Sequence, residues 1–362
     1  AGAAGGADGS ERELLARFEV QKFLGKGSYG SVFRVRRLSD DKVYALKETN
    51  VRHMSQQERA EAVNEIRLLA SVNSAWIVGY HEAFVDGNRL CIIMEYAPYG
   101  DLNRALRKRQ AQHKPLGEDL IWSYFVQICK GLAALHNQRI LHRDVKTANV
   151  LRMSAEVVKL GDLGVAKLMK SQMTNTQIGT PHYMPPEVWR NRPYSFSSDI
   201  WALGVVLYEM CTFNVPFEAR SMDELRYKVM RGRFNPIPAG YSPDLHQMVK
   251  VLLTAEPQNR PSVNDILCSP QVVRRQGLVP RVEEVSPPST QASGAPSQVF
   301  DTIKVPKNLR LLRKRLPPAQ YPGEGGGETA SSWSHAPKDS SSLPPITASS
   351  VVSSPGRGAG PG

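Results

Sequence analysis

Residues 141–149 read Leu141-His142-Arg143-Asp144-Val145-Lys146-Thr147-Ala148-Asn149, and thirteen positions after Asn149 comes Asp162-Leu163-Gly164. Asp144 and Asn149 stand five apart, and Asp144 and Asp162 eighteen apart. Phosphoryl transfer asks little covalent chemistry of a protein. It needs metal ligands, a group that orients the attacking hydroxyl, and cations against the developing charge. Asn149 and Asp162 offer hard oxygens suited to Mg²⁺, with Mn²⁺ as a substitute. Asp144 can accept a hydroxyl proton, and Lys146 can neutralise charge on a transferred phosphate. The order and spacing of the whole block are too particular for a chance match.

Upstream, Gly25-Lys26-Gly27-Ser28-Tyr29-Gly30-Ser31-Val32 is a G-x-G-x-x-G-x-V loop. A dinucleotide fingerprint would begin a helix at the third glycine. Here an alternating strand follows Gly30, which makes the loop a hairpin tip: either a plain turn or a backbone cover for phosphates. Seventeen residues past Gly30, Lys47 ends the run Tyr44-Ala45-Leu46-Lys47. Ser55 and Glu58 then have capping-box spacing, and Ala62, Ile66, Leu69 and Ala70 follow at helical intervals. Glu65 interrupts that stripe. It is either a surface acid at the stripe's edge or the partner of a cation, for which Lys47 is the candidate.

Three short strands are expected between Phe18 and Lys47, and the runs 75–85 and 89–96 flank a hairpin signal at Asp86-Gly87-Asn88. Beyond them the periodicity turns helical. Ile121, Phe125, Ile128, Leu132 and Leu135 share one face, and Ile200 to Leu207 is apolar all round, as in a helix buried at a domain centre. A small β lobe precedes a larger helical one.

With these motifs in place, the chain resembles the eukaryotic protein kinases over residues 18–268, and among them the NIMA-related serine/threonine kinases. GKGSYGSVFRVRR, NEIRLLASVN, GYHEAFVDGNRLCIIMEYAPYGDL, HRDVKTANV and GTPHYMPPE are the stretches that carry the likeness. It implies an α+β, two-lobed protein kinase fold, with an antiparallel N-lobe at 18–96 and a mainly helical C-lobe at 97–270. The implied function is transfer of the ATP γ-phosphate to serine and threonine hydroxyls of protein substrates. Lys47 and Glu65 would align the ATP phosphates under the loop of Gly25, Lys26, Gly27, Ser28 and Gly30. Val32, Ala45 and Leu151 would sandwich the adenine, and Met94 would be the gatekeeper. Glu95 and Ala97 would bond the adenine edge through their backbone, and Asp101 would hold the ribose. Lys146 and Thr180 match serine/threonine specificity, and Glu187 would pair with Arg260. Thr176 falls where the family carries an activating phosphosite, with Arg143 and Lys167 as the cations that would receive it. Three positions depart from the family: Leu163 for Phe, Pro185-Pro186-Glu187 for Ala-Pro-Glu, and Ser74-Ala75-Trp76 for His-Pro-Asn. None removes a catalytic group.

The chain has 362 residues, 41% of them hydrophobic and 22% charged, with 46 lysines and arginines against 34 acids for a net charge of +12. No run reaches the roughly 18 apolar residues of a membrane-spanning helix. Cys91, Cys129, Cys211 and Cys268 are too far apart for a CxxC pair. A soluble chain in a reducing, cytoplasmic compartment is expected, with the cytoskeleton or ciliary base suggested by the resemblance and the nucleus left open. The chain does not begin with Met, so its natural start is expected upstream. Residues 1–17 are expected to be disordered. From 271 to 362, Pro, Gly and Ser make up 37 of 92 residues, which reads as a disordered tail. One island, IKVPKNLRLLRKRL at 303–316, carries six basic residues and no acid. It reads as a solvated stretch, a docking segment for the kinase lobes, an import signal, or an anchor on an acidic or microtubule surface. The basic excess is spread over the chain, so neither nucleic acid nor membrane is an expected partner, and without a sustained heptad a monomer is the default. The rival readings are a pseudokinase scaffold and a calmodulin-regulated kinase. The retained catalytic set argues against the first, and Pro280, Pro287, Pro288 and Pro296 argue against the second.

Overall fold

Apolar and charged residues alternate from Phe18 onward, which suits strands with one buried face. They form β1 (Phe18–Gly27), β2 (Gly30–Arg37) and β3 (Val43–Asn50) of an antiparallel sheet. A computed structural model describes residues 15–27, 30–52, 54–162, 181–282 and 316–321, with Glu61 and Glu65 described in their backbone only. Ser28, Leu163, Lys167, Thr176, Thr180 and residues 303–315 of the basic island lie outside the described residues.

Two further strands, β4 (Tyr80–Asp86) and β5 (Arg89–Glu95), turn through Gly87 at φ 56° and complete the order β1-β2-β3-β5-β4. Gly30 is required by contact: a Cβ there would lie 1.8 Å from the carbonyl oxygen of Glu48. Helix α1 (Gln56–Ser71) starts on the expected capping box. Glu58 N donates to Ser55 Oγ at 3.2 Å, and Ser55 N donates to the Glu58 carboxylate at 2.7 Å. Its buried stripe includes Ala62, Ile66 and Leu69.

The run from Ala75 becomes a strand only at Tyr80. Residues 76–78 instead reach across to the short strand β7 (Val158–Leu160), which pairs with β6 (Val150–Arg152). Leu160 N donates to Trp76 O at 2.9 Å, and Val78 N donates to Leu160 O at 2.8 Å. Hydrogen bonding across the lobes outweighs local strand propensity here.

The helical lobe holds α2 (Leu102–Ala111), α3 (Glu118–His136), α4 (Pro186–Trp189), α5 (Phe196–Thr212), α6 (Met222–Arg231), α7 (Pro243–Leu252), α8 (Val263–Cys268) and α9 (Pro270–Val273). Every residue from Ser198 to Cys211 of α5 is buried, as its all-round apolar sequence predicts. One core cluster joins the α1 face of the sheet to α3 and α5. A smaller cluster covers the sheet's other face, with Val35, Tyr44, Leu46, Phe84, Ile93 and, from far along the chain, Tyr321. Packing on the helical lobe continues past residue 270: Val272 is buried, and Ser123 Oγ donates to Leu278 O at 3.0 Å. Among the described residues, no helix is long and apolar enough to cross a membrane.

Candidate active site

The segment from His142 to Asn149 is not a regular element until its last three residues, so side chains and buried acids must fix its path. Asn149 Nδ2 donates to Asp144 O at 2.8 Å and to Asp144 Oδ2 at 3.1 Å, and Lys146 Nζ donates to the same Oδ2 at 2.9 Å. With its amide nitrogen committed to Asp144, Asn149 turns Oδ1 the other way as an acceptor for a cation. Gly161 N donates to Asn149 O at 2.8 Å, which brings Asp162 beside this loop. Lys47, opposite Val32 on β2 and Ile92 on β5, meets the Asp162 carboxylate across the lobes. Asp144, Lys146 and Asn149 are thus bonded to one another, and Asp162 with its partner Lys47 comes in beside them through the neighbouring Gly161. Arg143 and Asp162 both have positive φ, 65° and 48°, a cost that folds retain chiefly where function demands a geometry.

The residues expected around the adenine, Val32, Ala45, Met94 and Leu151, lie on β2, β3, β5 and β6. Met94 and Ala45 are cross-strand partners, and Met94 lines a small cavity with Lys47, Ile77, Leu160 and Asp162. Leu151 on β6 stands against Gly161, where a Cβ would meet its Cδ1 at 2.9 Å. Gly25 and Val32 are in register on β1 and β2, as are Lys26 with Ser31 and Gly27 with Gly30. Glu95 ends β5, its carboxylate held by Lys159 Nζ at 2.7 and 2.8 Å and by Gly79 N at 3.0 Å. Ala97 O accepts from Gly100 N at 3.2 Å in the turn that leads to Asp101. Asp101 caps α2 by accepting from Arg104 N at 2.7 Å. Glu65 lies on α1, and its side chain is outside the described residues, so the expected pair with Lys47 is too.

Two acids that no motif singles out, Asp199 and Glu209, flank the apolar run 200–207. Asp199, fully buried on α5, accepts four hydrogen bonds: from His142 N and Arg143 N at 2.9 Å each, from His136 Nε2 at 2.9 Å and from the Tyr194 hydroxyl at 2.6 Å. Burial pushes its carboxyl up, but the bond from His136 and the nearby imidazoles outweigh this and hold it below the usual value. One turn from the other end of α5, Glu209 accepts from Thr147 Oγ1 at 3.1 Å, from Asn103 Nδ2 at 3.3 Å and from the Tyr183 hydroxyl. Burial raises its pKa. One rigid helix therefore anchors both ends of the catalytic loop. His142 is buried beside Asp199, and burial pushes its imidazole down, so it is neutral near pH 7. The one visible signal for Asp199 and Glu209 was acids at the ends of a helix with no polar face.

Glu187 and Arg260 meet in a buried, two-pronged ion pair at 2.8 Å per bond, joined by Ser198 Oγ at 2.7 Å. Arg260 also donates to Thr254 O, Ala255 O and Ser197 O and lies over the Trp201 ring. Among the described residues there is no cluster of three His, Cys, Asp or Glu side chains fit to hold a metal. Asn149 with Asp162 fits the other habit of Mg²⁺, one or two protein oxygens completed by substrate phosphates.

A family model described as the protein kinase domain matches residues 18–272. The chain belongs to the protein kinase family. Among curated relatives it is 42% identical over 270 residues to probable serine/threonine-protein kinase nek3 of Dictyostelium discoideum, covering 73% of this chain and 24% of that one. It is 38% identical over 301 residues to serine/threonine-protein kinase Nek3 of Mus musculus (82% and 56%), and 39% over 260 residues to Nek4 of the same species (71% and 33%). Its kinase domain is of the NIMA-related serine/threonine type. The matched region spans between a quarter and a little over half of these relatives' lengths.

Proposed function

We propose that this protein transfers the γ-phosphate of ATP to serine and threonine hydroxyls of protein substrates. The observation that carries the reading is the single loop that binds Asp144 to both Lys146 (2.9 Å) and Asn149 (2.8 Å), with Asp162 brought alongside by the Gly161–Asn149 bond. Asp144 orients the substrate hydroxyl and takes its proton as the oxygen attacks phosphorus. Lys146, already on Asp144, faces the phosphate in transfer. Lys47 steadies the nucleotide phosphates, and the glycine-rich hairpin from Gly25 to Gly30 lies over them. Asn149 and Asp162 would hold Mg²⁺ or Mn²⁺, which when bound supplies positive charge to the phosphate oxygens. The apolar cleft of Val32, Ala45, Met94 and Leu151 takes the adenine, with Glu95 and Ala97 on its polar edge and Asp101 at the ribose.

Activity depends on phosphorylation of Thr176, the new charge being received by Arg143 and Lys167. Arg143 is exposed beside the catalytic acid, which supports this role. Thr180 contributes the preference for serine and threonine. The NIMA-related resemblance supports work in the cytoplasm on cytoskeletal, ciliary or division-cycle substrates. The chain is read as a monomer, with the island at 303–316 facing an acidic partner. Assay of the full chain on a generic basic protein, with phosphoamino-acid analysis, should yield phosphoserine and phosphothreonine. Thr176→Ala should lower turnover at least about tenfold, one lost population shift of 1.4 kcal/mol. Turnover of the wild type that is unchanged by full dephosphorylation, or equal turnover by phosphorylated wild type and Thr176→Ala, contradicts the regulatory part.

A further inference from the structure

Strand β4 is the edge of the sheet, and an edge strand offers unpaired backbone groups to any segment that can reach them. In this chain, the segment 316–321, Leu-Pro-Pro-Ala-Gln-Tyr, meets that edge through Gln320 and Tyr321. Gln320 N donates to His81 O at 2.6 Å, and Gln320 O meets His81 Nδ1 at 2.9 Å. The Gln320 side-chain amide reaches Ala70 O in the last turn of α1 at 3.3 Å. Tyr321, 6% exposed, completes the hydrophobic cluster on the outer face of the sheet. Its ring stacks on His81 (5.5 Å, 4° between planes), meets Tyr44 edge-on at 5.4 Å and lies under the Arg37 guanidinium at 3.4 Å. Its hydroxyl donates to Glu82 Oε2 at 2.8 Å, while Arg17 holds Glu82 Oε1 at 2.7 Å.

We propose that residues 316–321 are an intramolecular clamp that docks on the N-lobe, with Tyr321 as its anchor. The surface is built for this occupant. An aromatic slot of Tyr44 and His81 takes the ring, a carboxylate takes the phenol, and a backbone carbonyl on the open edge takes the one N–H presented beside it. Pro317 and Pro318 restrict the segment before it binds, so little chain entropy is lost on docking. Length does not prevent docking within one chain. The 33 residues between Val282 and Leu316 can span on the order of 110 Å when extended, whereas a domain of this size has a radius of gyration of about 18 Å. Because Gln320 and Tyr321 together touch β2, β3, β4 and the end of α1, the clamp ties the helix bearing Glu65 to the strands bearing the nucleotide cleft. Composition conceals this role, since the anchor sits in a Pro/Gly/Ser-rich stretch.

Hydrogen exchange of the full chain, followed by mass spectrometry, tests the clamp without reference to catalysis. Tyr321→Ala should speed exchange about tenfold in β4 and in the last turn of α1 while α5 is unchanged; Tyr321→Phe, which keeps the ring, should do so less. If Tyr321→Ala fails to fold, Gln320→Pro serves instead, because it removes only an exposed residue's N–H and amide and should open the same two segments. Protection in the wild type should hold through about a hundredfold dilution. Unchanged exchange in β4 with either variant overturns the proposal. So does protection that fades on dilution, which would assign the slot to the segment of a second copy.

Discussion

Asp199 satisfies four donors inside the helical lobe, two of them the backbone N–H groups of His142 and Arg143. Asparagine has one acceptor oxygen and would turn an NH₂ toward N–H groups. Asp199→Asn should therefore cost roughly 2–4 kcal/mol and lower turnover by loosening the catalytic loop. Thermal melting and steady-state kinetics on the same sample read both effects, and retention of wild-type stability contradicts the anchoring role. The imidazoles of His81 and His142 give a second prediction. Burial lowers the pKa of both His81 and His142, so each takes up a proton more readily when unfolded. Their contribution to stability is complete above the ordinary histidine value of about 6.5 and is lost as pH falls from there toward the lowered folded value. Unfolding free energy should thus decline as pH falls below about 6.5, with a limiting slope of about 1.4 kcal/mol per pH unit for each histidine. His142→Phe should remove one proton's share of that slope. At this scale the sequence was informative where chemistry is local. Asp144, Lys146 and Asn149 stand out by spacing within six residues, whereas Asp199 serves backbone groups 56 and 57 positions away, and no spacing rule connects them.

Among elements, α5 does most to place the site, holding His142 and Arg143 at one end and Thr147 at the other. Its burial was readable from an apolar run with no polar face, and α1 was readable from its capping box. The connection at 75–79 was not, because a run rich in apolar residues reads as a strand until the partner strand β7, some 80 residues on, is known. The Arg260–Glu187 pair locks the segment before α5 to the loop after α7. Burial raises the Glu187 pKa and Arg260 more than offsets it, so the acid is charged and depends on its partner. Arg260→Met leaves that charge buried with no cation, only the Ser198 hydroxyl, and should cost about 3–5 kcal/mol. Adding Glu187→Leu should recover only part of this, because the carbonyls of Thr254, Ala255 and Ser197 still lack their donor. Denaturant midpoints of the two variants decide it, and full recovery would show that those carbonyls contribute little.

At the scale of the whole molecule, the cleft is closed from both lobes. The upper lobe supplies Lys47 and the glycine hairpin, the lower supplies the catalytic loop, and hydrogen bonds from Leu160 N to Trp76 O and from Val78 N to Leu160 O hold the two together. This division was legible early, because hydrophobic period changes from two to helical near residue 100. What composition hid is the return of Tyr321 to the upper lobe, since one aromatic among prolines leaves no periodic trace. The central claim is that this assembly moves phosphate. The most direct test is transfer of labelled γ-phosphate from ATP to serine and threonine peptides by the full chain phosphorylated on Thr176, compared with Asp144→Asn. Labelled peptide from the wild type, reduced about 10²–10⁴-fold in the variant, is the predicted result. Binding of ATP with no transfer by the wild type, or equal transfer by both, would contradict it.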